Sequence, residues 1–356
     1  MRKLILLAIS LNVANSTFAQ QQSKIKLSGY LESYYGFDFN EPADNNRPAF
    51  VYSHKRHNEV NLNLGFIKGS FDDGTMRANL ALMAGTYSNA NLAAEPGVLK
   101  NIFEASAGLR ISRTANLWVD AGIIPSHIGY ESAISKDCWV LTRNIVSDNT
   151  PYYEAGVKIT YGTADNKFTI SGLYLNGWQR INRLNGNSQP AGGLQMTFKP
   201  TDKVTLNYSN YIGTEGPDDV RVRRFYNNVY GIFQLTEKLG LIAGIDYGAQ
   251  QVSKGSKKTI EVLAPTAIAQ YRINSKWALA GRVEYYEDKN GLIIATGTPE
   301  GFKTTGYSLN LDYSPMTNAV VRLEGKLFDS KDKIFIRELS PVRHNALLTS
   351  SIAISF

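Results

Sequence analysis

Apolar and polar residues alternate along most of this chain of 356 residues, which is the period of a β-strand rather than of a helix. Within residues 319–328, Val321 and Leu323 fall on one face, and Arg322 and Glu324 fall on the other. The same phase recurs in earlier stretches, with abundant Gly, Tyr, Asn and Thr between them. We therefore expect an all-β protein whose strands carry one apolar and one charged face.

The alternation predicts about sixteen strands. Their expected spans are 25–39, 58–69, 75–88, 98–112, 117–127, 152–163, 167–180, 190–200, 203–213, 224–235, 239–252, 260–273, 276–288, 302–314, 318–330 and 347–356. In the fourth span the phase places Phe103 and Leu109 on the apolar face. Strands that are apolar outside and charged inside suit lipid on one side and water on the other. The expected fold is a transmembrane antiparallel β-barrel, because only a closed barrel satisfies all backbone groups of a sheet in a membrane.

The connections between these spans alternate between tight turns and long loops. The tight turns are rich in Asp, Asn, Gly, Ser and Pro, which favour turns through side-chain hydrogen bonds or permitted dihedrals. The longer links occupy about residues 40–57, 89–97, 128–151, 181–189, 214–223, 253–259, 289–301 and 331–346. The aromatic residues beside the tight turns, which suit a membrane interface, are Tyr161, Phe168, Phe198, Tyr271, Trp277 and Tyr313. These features predict short periplasmic turns and long extracellular loops.

Both ends of the chain support export and membrane assembly. Residues 1–19 have the charged start, apolar run and small-residue exit of a cleavable signal peptide, which leaves residues 20–356 for a single barrel. The last strand ends in Phe356, which is similar to the terminal signal read by the barrel-assembly machinery. In a closed barrel this strand must pair with the first. We expect the protein in the outer membrane of a Gram-negative bacterium, in contact with its lipid.

Composition argues against several other classes of protein. The formal net charge is +7, and the only dense basic patches lie in predicted loops, so no nucleic-acid partner is expected. Cys138 is the only cysteine, so an internal disulfide is excluded. His54 and His57 could share a metal by spacing, but their loop setting favours solvated side chains, and we expect neither a metal nor another cofactor.

Four motifs occur in this order: SGYLESYY at residues 28–35, GYE at 129–131, PYYEAGV at 151–157 and LNGW at 175–178. Together they resemble the OmpL-like β-barrel outer-membrane porin family, which is found in Bacteroidetes and related bacteria. The resemblance is strongest over residues 28–180 and becomes a general barrel pattern beyond them. It implies an outer-membrane channel and supports fold and location more than any particular solute. It supplies no catalytic residues.

The sequence favours a pore over an enzyme. It has no nucleophile elbow, P-loop or zinc-protease helix. An outer-membrane hydrolase would need a paired Ser and His, for which only His127 beside Ser126, or near Ser132 and Ser135, is available. We expect His127 to be an unpaired, solvated imidazole at a strand end. The remaining alternative is a structural or adhesive barrel without an open pore.

The functional chemistry would then be passive diffusion of small hydrophilic solutes through a water-filled lumen, with a homo-oligomer as an open alternative. The longest loop, residues 128–151, either folds inward as a constriction or covers the surface as a lid. Its charged candidates are Glu131, Lys136, Asp137, Arg143 and Asp148. The strand phase gives as pore-lining candidates Glu104, Arg110, Glu154, Lys158, Arg282, Glu284, Arg322, Glu324 and Lys326. Because lumen charges of both signs balance, the phase predicts no ion preference.

Overall fold

A computed structural model of the protein describes residues 25–356. The signal peptide expected at residues 1–19 lies outside the described residues. Sixteen antiparallel strands close one barrel, which confirms the predicted fold class. The strands are β1 Ile25–Asp38, β2 Val60–Asp72, β3 Met76–Ala84, β4 Ile102–Arg110, β5 Asn116–Pro125, β6 Tyr153–Gly162, β7 Phe168–Leu175, β8 Ala191–Thr201, β9 Val204–Glu215, β10 Val222–Gln234, β11 Leu239–Gln251, β12 Thr259–Arg272, β13 Trp277–Asp288, β14 Phe302–Met316, β15 Ala319–Ser330 and β18 His344–Ser355. The last long loop holds a small hairpin of β16 Phe335–Arg337 and β17 Ser340–Val342.

The barrel closes by pairing of its first and last strands, β1 and β18. Beyond the end of β18, the Phe356 N–H donates to the Gly29 carbonyl at 3.0 Å, and the Phe356 carbonyl accepts from the Gly29 N–H at 2.8 Å. The Phe356 ring lies over Gly29, where an added Cβ would stand 2.3 Å from the ring. Glycine at this position therefore lets the terminal aromatic ring cover the seam, and no strand edge is left unpaired there.

The predicted alternation of faces is seen clearly in β15. Leu323 is 46% exposed on the outer face, while Arg322 is 2% exposed and Glu324 is fully buried on the inner face. Phe103 departs from its predicted outward phase, because the β3–β4 register shifts between Ala81 and Leu82. The Phe103 ring is turned to the interior and stacks on Phe66, with ring centroids 4.8 Å apart. A bulge of this kind reverses the facing of the side chains beside it.

Two short helices connect strands without belonging to the barrel wall, α1 at Thr86–Asn91 and α2 at Ile145–Asp148. The connections also hold 3-10 turns at Gly97–Asn101 and Ser135–Asp137. The predicted third strand is shorter than expected, because the chain turns at Gly85, whose φ is 132°, and enters α1. A Cβ on Gly85 would lie 2.3 Å from the Asn63 carbonyl oxygen, so the turn requires glycine. Among residues 25–356, no helix is long and apolar enough to cross a bilayer.

An apolar core lies at the long-loop end of the barrel interior. Phe50, from the loop between β1 and β2, packs edge-on against Phe302 at 4.7 Å and against Phe328 at 5.3 Å between ring centroids. Phe335 of the small hairpin joins them at 6.1 Å from Phe50. The extracellular loops therefore fold back over the mouth and bury aromatic side chains there.

Candidate functional site

The chain between β5 and β6 turns into the barrel, and we call residues 126–152 the lumen segment. Its two ends are neighbours in the wall, because Pro125 pairs with Tyr153 in the β5–β6 ladder. Between them, the side chains of Val140, Leu141 and Asn144 are fully buried. The loop therefore folds into the lumen and does not cover the surface as a lid.

His127 anchors the start of the lumen segment. Its Nδ1 lies 2.9 and 2.8 Å from the two carboxylate oxygens of Glu154, and its Nε2 donates to the Asn210 carbonyl at 2.7 Å. The His127 carbonyl accepts from Ser209 Oγ at 2.6 Å. The expectation of a solvated, unpaired imidazole is wrong, because the side chain is buried and both ring nitrogens are engaged. Neither nitrogen is free to serve a serine nucleophile.

The surroundings of His127 favour its charged form. Burial alone would lower the pKa of His127, but the Glu154 carboxylate and the bond to the Asn210 carbonyl raise the pKa above its ordinary value. Both ring nitrogens can then donate at once, one to the carboxylate and one to the carbonyl. The pair joins the lumen segment to β6 and β9 by charge-assisted hydrogen bonds.

The wall is adapted to this anchor at Gly193 and Asn210. A Cβ on Gly193 would lie 2.6 Å from His127 Nε2, so glycine leaves the room that the imidazole occupies. While the Asn210 carbonyl accepts from His127, the Asn210 side-chain Oδ1 accepts from the Leu194 N–H at 3.1 Å. The Leu194 N–H of β8 therefore still has an acceptor on β9 at the position where the His127 imidazole takes the Asn210 carbonyl.

The middle of the lumen segment is bound to the opposite wall by charged side chains. Arg282 donates to the Thr142 carbonyl at 2.7 Å, and Lys326 donates to the Arg143 carbonyl at 2.9 Å. The Glu324 carboxylate accepts from the Thr142 N–H at 2.5 Å and from its hydroxyl at 2.7 Å. Buried main-chain groups of the segment thus find partners in the charges of β13 and β15.

A second set of bonds holds the 3-10 turn of the segment. Arg322 donates to the Ser135 carbonyl at 2.5 Å and to the Cys138 carbonyl at 3.0 Å. The same guanidinium pairs with Asp312 at 2.7 and 2.8 Å. The Ser135 hydroxyl donates to the Glu32 carboxylate on β1. The segment therefore spans the lumen from β9 to β1.

The charged residues predicted for a constriction differ in position. Glu131 accepts from the Asn144 N–H at 2.6 Å and lies 3.4 Å from Arg282. Arg143 is buried and donates to the carbonyls of Ser132, Ala133 and Leu141, so it holds the segment's own fold. Burial raises the pKa of Glu131 above its ordinary value.

The other three candidates lie at the two ends of the buried stretch. Asp148 accepts from the Ser53 hydroxyl at 2.9 Å, which joins the segment to the loop over the mouth. Burial raises the pKa of Asp148 above its ordinary value. Lys136 is half-buried and Asp137 is exposed, so these two charges are the ones placed toward solvent.

The pore-lining candidates fall into three groups. Arg282, Glu284, Arg322, Glu324 and Lys326 face inward but are buried against the lumen segment rather than lining water. Glu154 is likewise buried against the lumen segment, through His127. Glu104 and Lys158 face the space beneath that segment. Arg110 is exposed at the short-turn rim, where it donates to the Ala115 carbonyl at 3.4 Å. Sequence reasoning missed Thr142, Ser209 and Asn210. The candidates were chosen as charged residues at inward-facing or loop positions, and these three are uncharged.

A polar cavity lies beneath the lumen segment, at the short-turn end of the barrel. Its volume is about 620 Å³, and Lys26, Arg77, Glu104, Asp120 and Lys158 line it. Arg77 on β3 pairs with Asp120 on β5, over the inner face of β4. Lys158 forms no ion pair within the described part of the chain. This cavity is the charged, solvent-facing part of the interior.

The two histidines considered for a metal are buried and hydrogen-bonded, so the expectation of solvated side chains is wrong for both. His54 Nε2 lies 3.1 Å from Glu32 Oε1, and His57 Nδ1 accepts from the Asp38 N–H at 2.8 Å. In residues 25–356, no three His, Cys, Asp or Glu side chains converge as metal ligands would.

Comparison with known proteins agrees with this architecture. The family model described as "Putative beta-barrel porin-2, OmpL-like" matches residues 24–356. No curated protein matches the chain in sequence. An anion-selective porin from Comamonas acidovorans shares 10% identity at a TM-score of 0.61, over 93% of this chain and 99% of that chain. The outer membrane channel DcaP of Acinetobacter baumannii shares 11% at 0.61, over 93% and 97%. The trimer form of OmpT from Vibrio cholerae shares 10% at 0.56, over 93% and 99%. At such identities the likeness to solved structures shows the fold.

Proposed function

The chain belongs to the OmpL-like β-barrel porin family of the Gram-negative outer membrane, and on this premise we propose that it conducts small hydrophilic solutes by passive diffusion past its lumen segment. The observation that carries the proposal is the way this segment is held. Main-chain groups around Thr142 bind charges of the wall, while a polar cavity of about 620 Å³ remains beneath it. An inserted, wall-anchored segment narrows a water-filled barrel without closing its periplasmic half.

The lumen segment can be removed without breaking the wall, which gives a direct test. Because Pro125 and Tyr153 are paired neighbours, residues 127–151 can be replaced by a short Gly-rich turn. In planar bilayers, the wild-type protein should show discrete conductance steps, and the excised variant should show several-fold larger ones. Shortening the exposed loop at residues 253–257 is the matched control and should leave the step size unchanged.

Two outcomes would contradict this function. A folded wild-type barrel that never conducts, together with an excised variant that does, would favour the structural or adhesive alternative with the segment as a permanent plug. Equal step sizes with and without the segment would show that it does not set the constriction. Heat-modifiable mobility on gels verifies in each case that the barrel is folded.

Two partners are part of the proposal. Phe356, whose ring lies over Gly29 at the seam, would serve as the assembly signal for the barrel-assembly machinery. A homo-oligomer is supported by the trimer form among the similar solved structures. Mass determination of the purified barrel in detergent tests the oligomer, and slower assembly of a Phe356→Ala variant into vesicles tests the signal.

A further inference from the structure

The extracellular loops enclose a second cavity above the aromatic core, and we call it the outer cavity. Its volume is about 620 Å³, within the usual range for small-molecule sites. The loops at residues 39–59, 289–301 and 331–343 contribute its walls. Apolar side chains dominate them, including Phe50, Phe302 and Phe335. A cavity with apolar walls and few polar groups is typical of a binding site for an organic solute.

Two polar side chains of the strands, Asp38 and Asn345, also line this cavity. Asp38 is 1% exposed, and its Oδ1 accepts from the Asn40 N–H at 2.9 Å and from Asn345 Nδ2 at 2.7 Å. Asn345 is also buried, and its Oδ1 accepts no hydrogen bond within the described residues. Two acceptors thus lie together at one side of an apolar cavity.

The Asp38 carboxylate is buried and forms no ion pair within 4 Å in residues 25–356, although the charges of Arg47 and His57 act on it from farther away. The nearby Arg47 guanidinium bonds Thr349 Oγ1 at 2.8 Å and the Leu348 carbonyl at 3.2 Å instead. The closest imidazole, His57, accepts from the main-chain N–H of Asp38 rather than bonding its carboxylate. Buried charges in proteins are normally paired in direct contact, and neither of these cations contacts the carboxylate, so the position beside Asp38 is left for a cation that a ligand brings.

We propose that the outer cavity binds a small solute with an ammonium group on an apolar, preferably aromatic, body. The ammonium would donate to Asp38 and Asn345, and the body would pack among Phe50, Phe302 and Phe335. An ammonium satisfies both acceptors at once, since it carries three donors. Aromatic walls add attraction for a cation beside them. The inference goes beyond passive diffusion, because binding at the mouth does not require the barrel to conduct.

One cationic side chain that lines the outer cavity disfavours the binding of an ammonium group, and its replacement provides a second test. Lys333 lines the outer cavity from the last long loop and forms no ion pair within the described chain. Its charge repels an ammonium, whereas it would attract a carboxylate. Replacing Lys333 by Gln should therefore tighten the binding of an amine, and replacing Asp38 by Asn should weaken it.

Calorimetric titration of the purified full chain in detergent, with empty micelles as the blank, tests the site. The probes are 2-phenylethylamine, 2-phenylethanol and 3-phenylpropionate, which share an aromatic body and differ in the head group. We expect saturable binding of the amine, binding of the alcohol at least tenfold weaker, and no binding of the acid. Asp38→Asn should weaken amine binding at least tenfold, and Lys333→Gln should strengthen it.

A cavity-filling variant keeps the test decisive if Asp38→Asn fails to fold. Ala295 lines the outer cavity from an exposed loop position, so Ala295→Phe should abolish amine binding. The matched control is Ala94→Phe, at an exposed loop position that does not line the cavity, and it should bind like the wild type. No saturable binding by folded wild-type protein would overturn the proposal. So would equal affinities for amine and alcohol, or amine binding that survives both Asp38→Asn and Ala295→Phe.

Since calorimetry is independent of conductance, these outcomes are separate from those of the bilayer experiment. A barrel that binds the amine but never conducts would contradict the proposed passive diffusion and support the proposed binding site in the outer cavity. A barrel that conducts but binds no amine would support passive diffusion and contradict the binding site.

Discussion

The anchor of the lumen segment allows the sharpest prediction, on the variant His127→Leu. The substitution leaves the Glu154 carboxylate buried, with only the His127 main-chain N–H at 3.4 Å, and removes the donor to the Asn210 carbonyl. Removing one partner of a buried ion pair costs about 3–5 kcal/mol, because the other charge remains buried. The first event to show this cost should be release of the lumen segment, since local opening requires less free energy than unfolding the barrel.

Hydrogen exchange followed by mass spectrometry measures this release. A loss of about 3 kcal/mol raises the open population roughly hundredfold, at about 1.4 kcal/mol for each tenfold. Peptides covering residues 126–148 should exchange faster by that factor, while peptides of β13 and β14 should change little. The matched control is His344→Leu, because His344 is 67% exposed in its pair with Asp329 and such pairs contribute little.

A double variant tests the reasoning behind the magnitude. Adding Glu154→Leu to His127→Leu removes the stranded charge, so the double variant should be less destabilised than the sum of the two single variants by about 1–3 kcal/mol. Strict additivity, or unchanged exchange of the lumen segment in His127→Leu, would refute the view that this pair holds the segment.

Three further outcomes are expected. Leu323→Arg should lower the free energy of unfolding in lipid vesicles by about 2–4 kcal/mol, whereas Leu339→Arg, at a 90% exposed loop position, should have almost no effect; equal losses would show that the assigned faces are wrong. Gly193→Ala should displace the His127 ring, because the added Cβ would lie 2.6 Å from Nε2, and should speed exchange of the lumen segment. The raised pKa of His127 means that its pairing is complete below about pH 6.5 and is lost as the pH rises through the raised value, so alkaline pH should loosen the segment in the wild type but not in His127→Leu.

The wall of the barrel follows almost wholly from local pattern. A period-two alternation such as that of Arg322 and Leu323 decides which face meets lipid, because each side chain contacts only the environment on its own face of the sheet. Strand bounds were therefore predictable to within about three residues, apart from β3, β4 and β7. The third strand was overextended because the turn at Gly85 depends on the Asn63 carbonyl, which belongs to another strand.

The interior depends on contacts between residues that are distant in sequence. The lumen segment could be identified as the longest loop, and the charges of Arg282 and Glu324 could be placed on the inner face. That these charges bind the main chain around Thr142, 140 and 182 residues away, is decided only when the strands have closed and leave a lumen to fill. His127 shows the same limit, since its partners lie on β6 and β9.

The sequence by itself thus determined a closed outer-membrane barrel of sixteen strands with an apolar outside and a charged inside, because those properties are encoded residue by residue in the alternation and the turns. The tertiary structure decided what the inside contains. The path of residues 126–152, the burial of the wall charges against them and the burial of Asp38 at the outer cavity depend on side chains that come into contact only in the closed barrel. A local sequence pattern contains no information about such contacts.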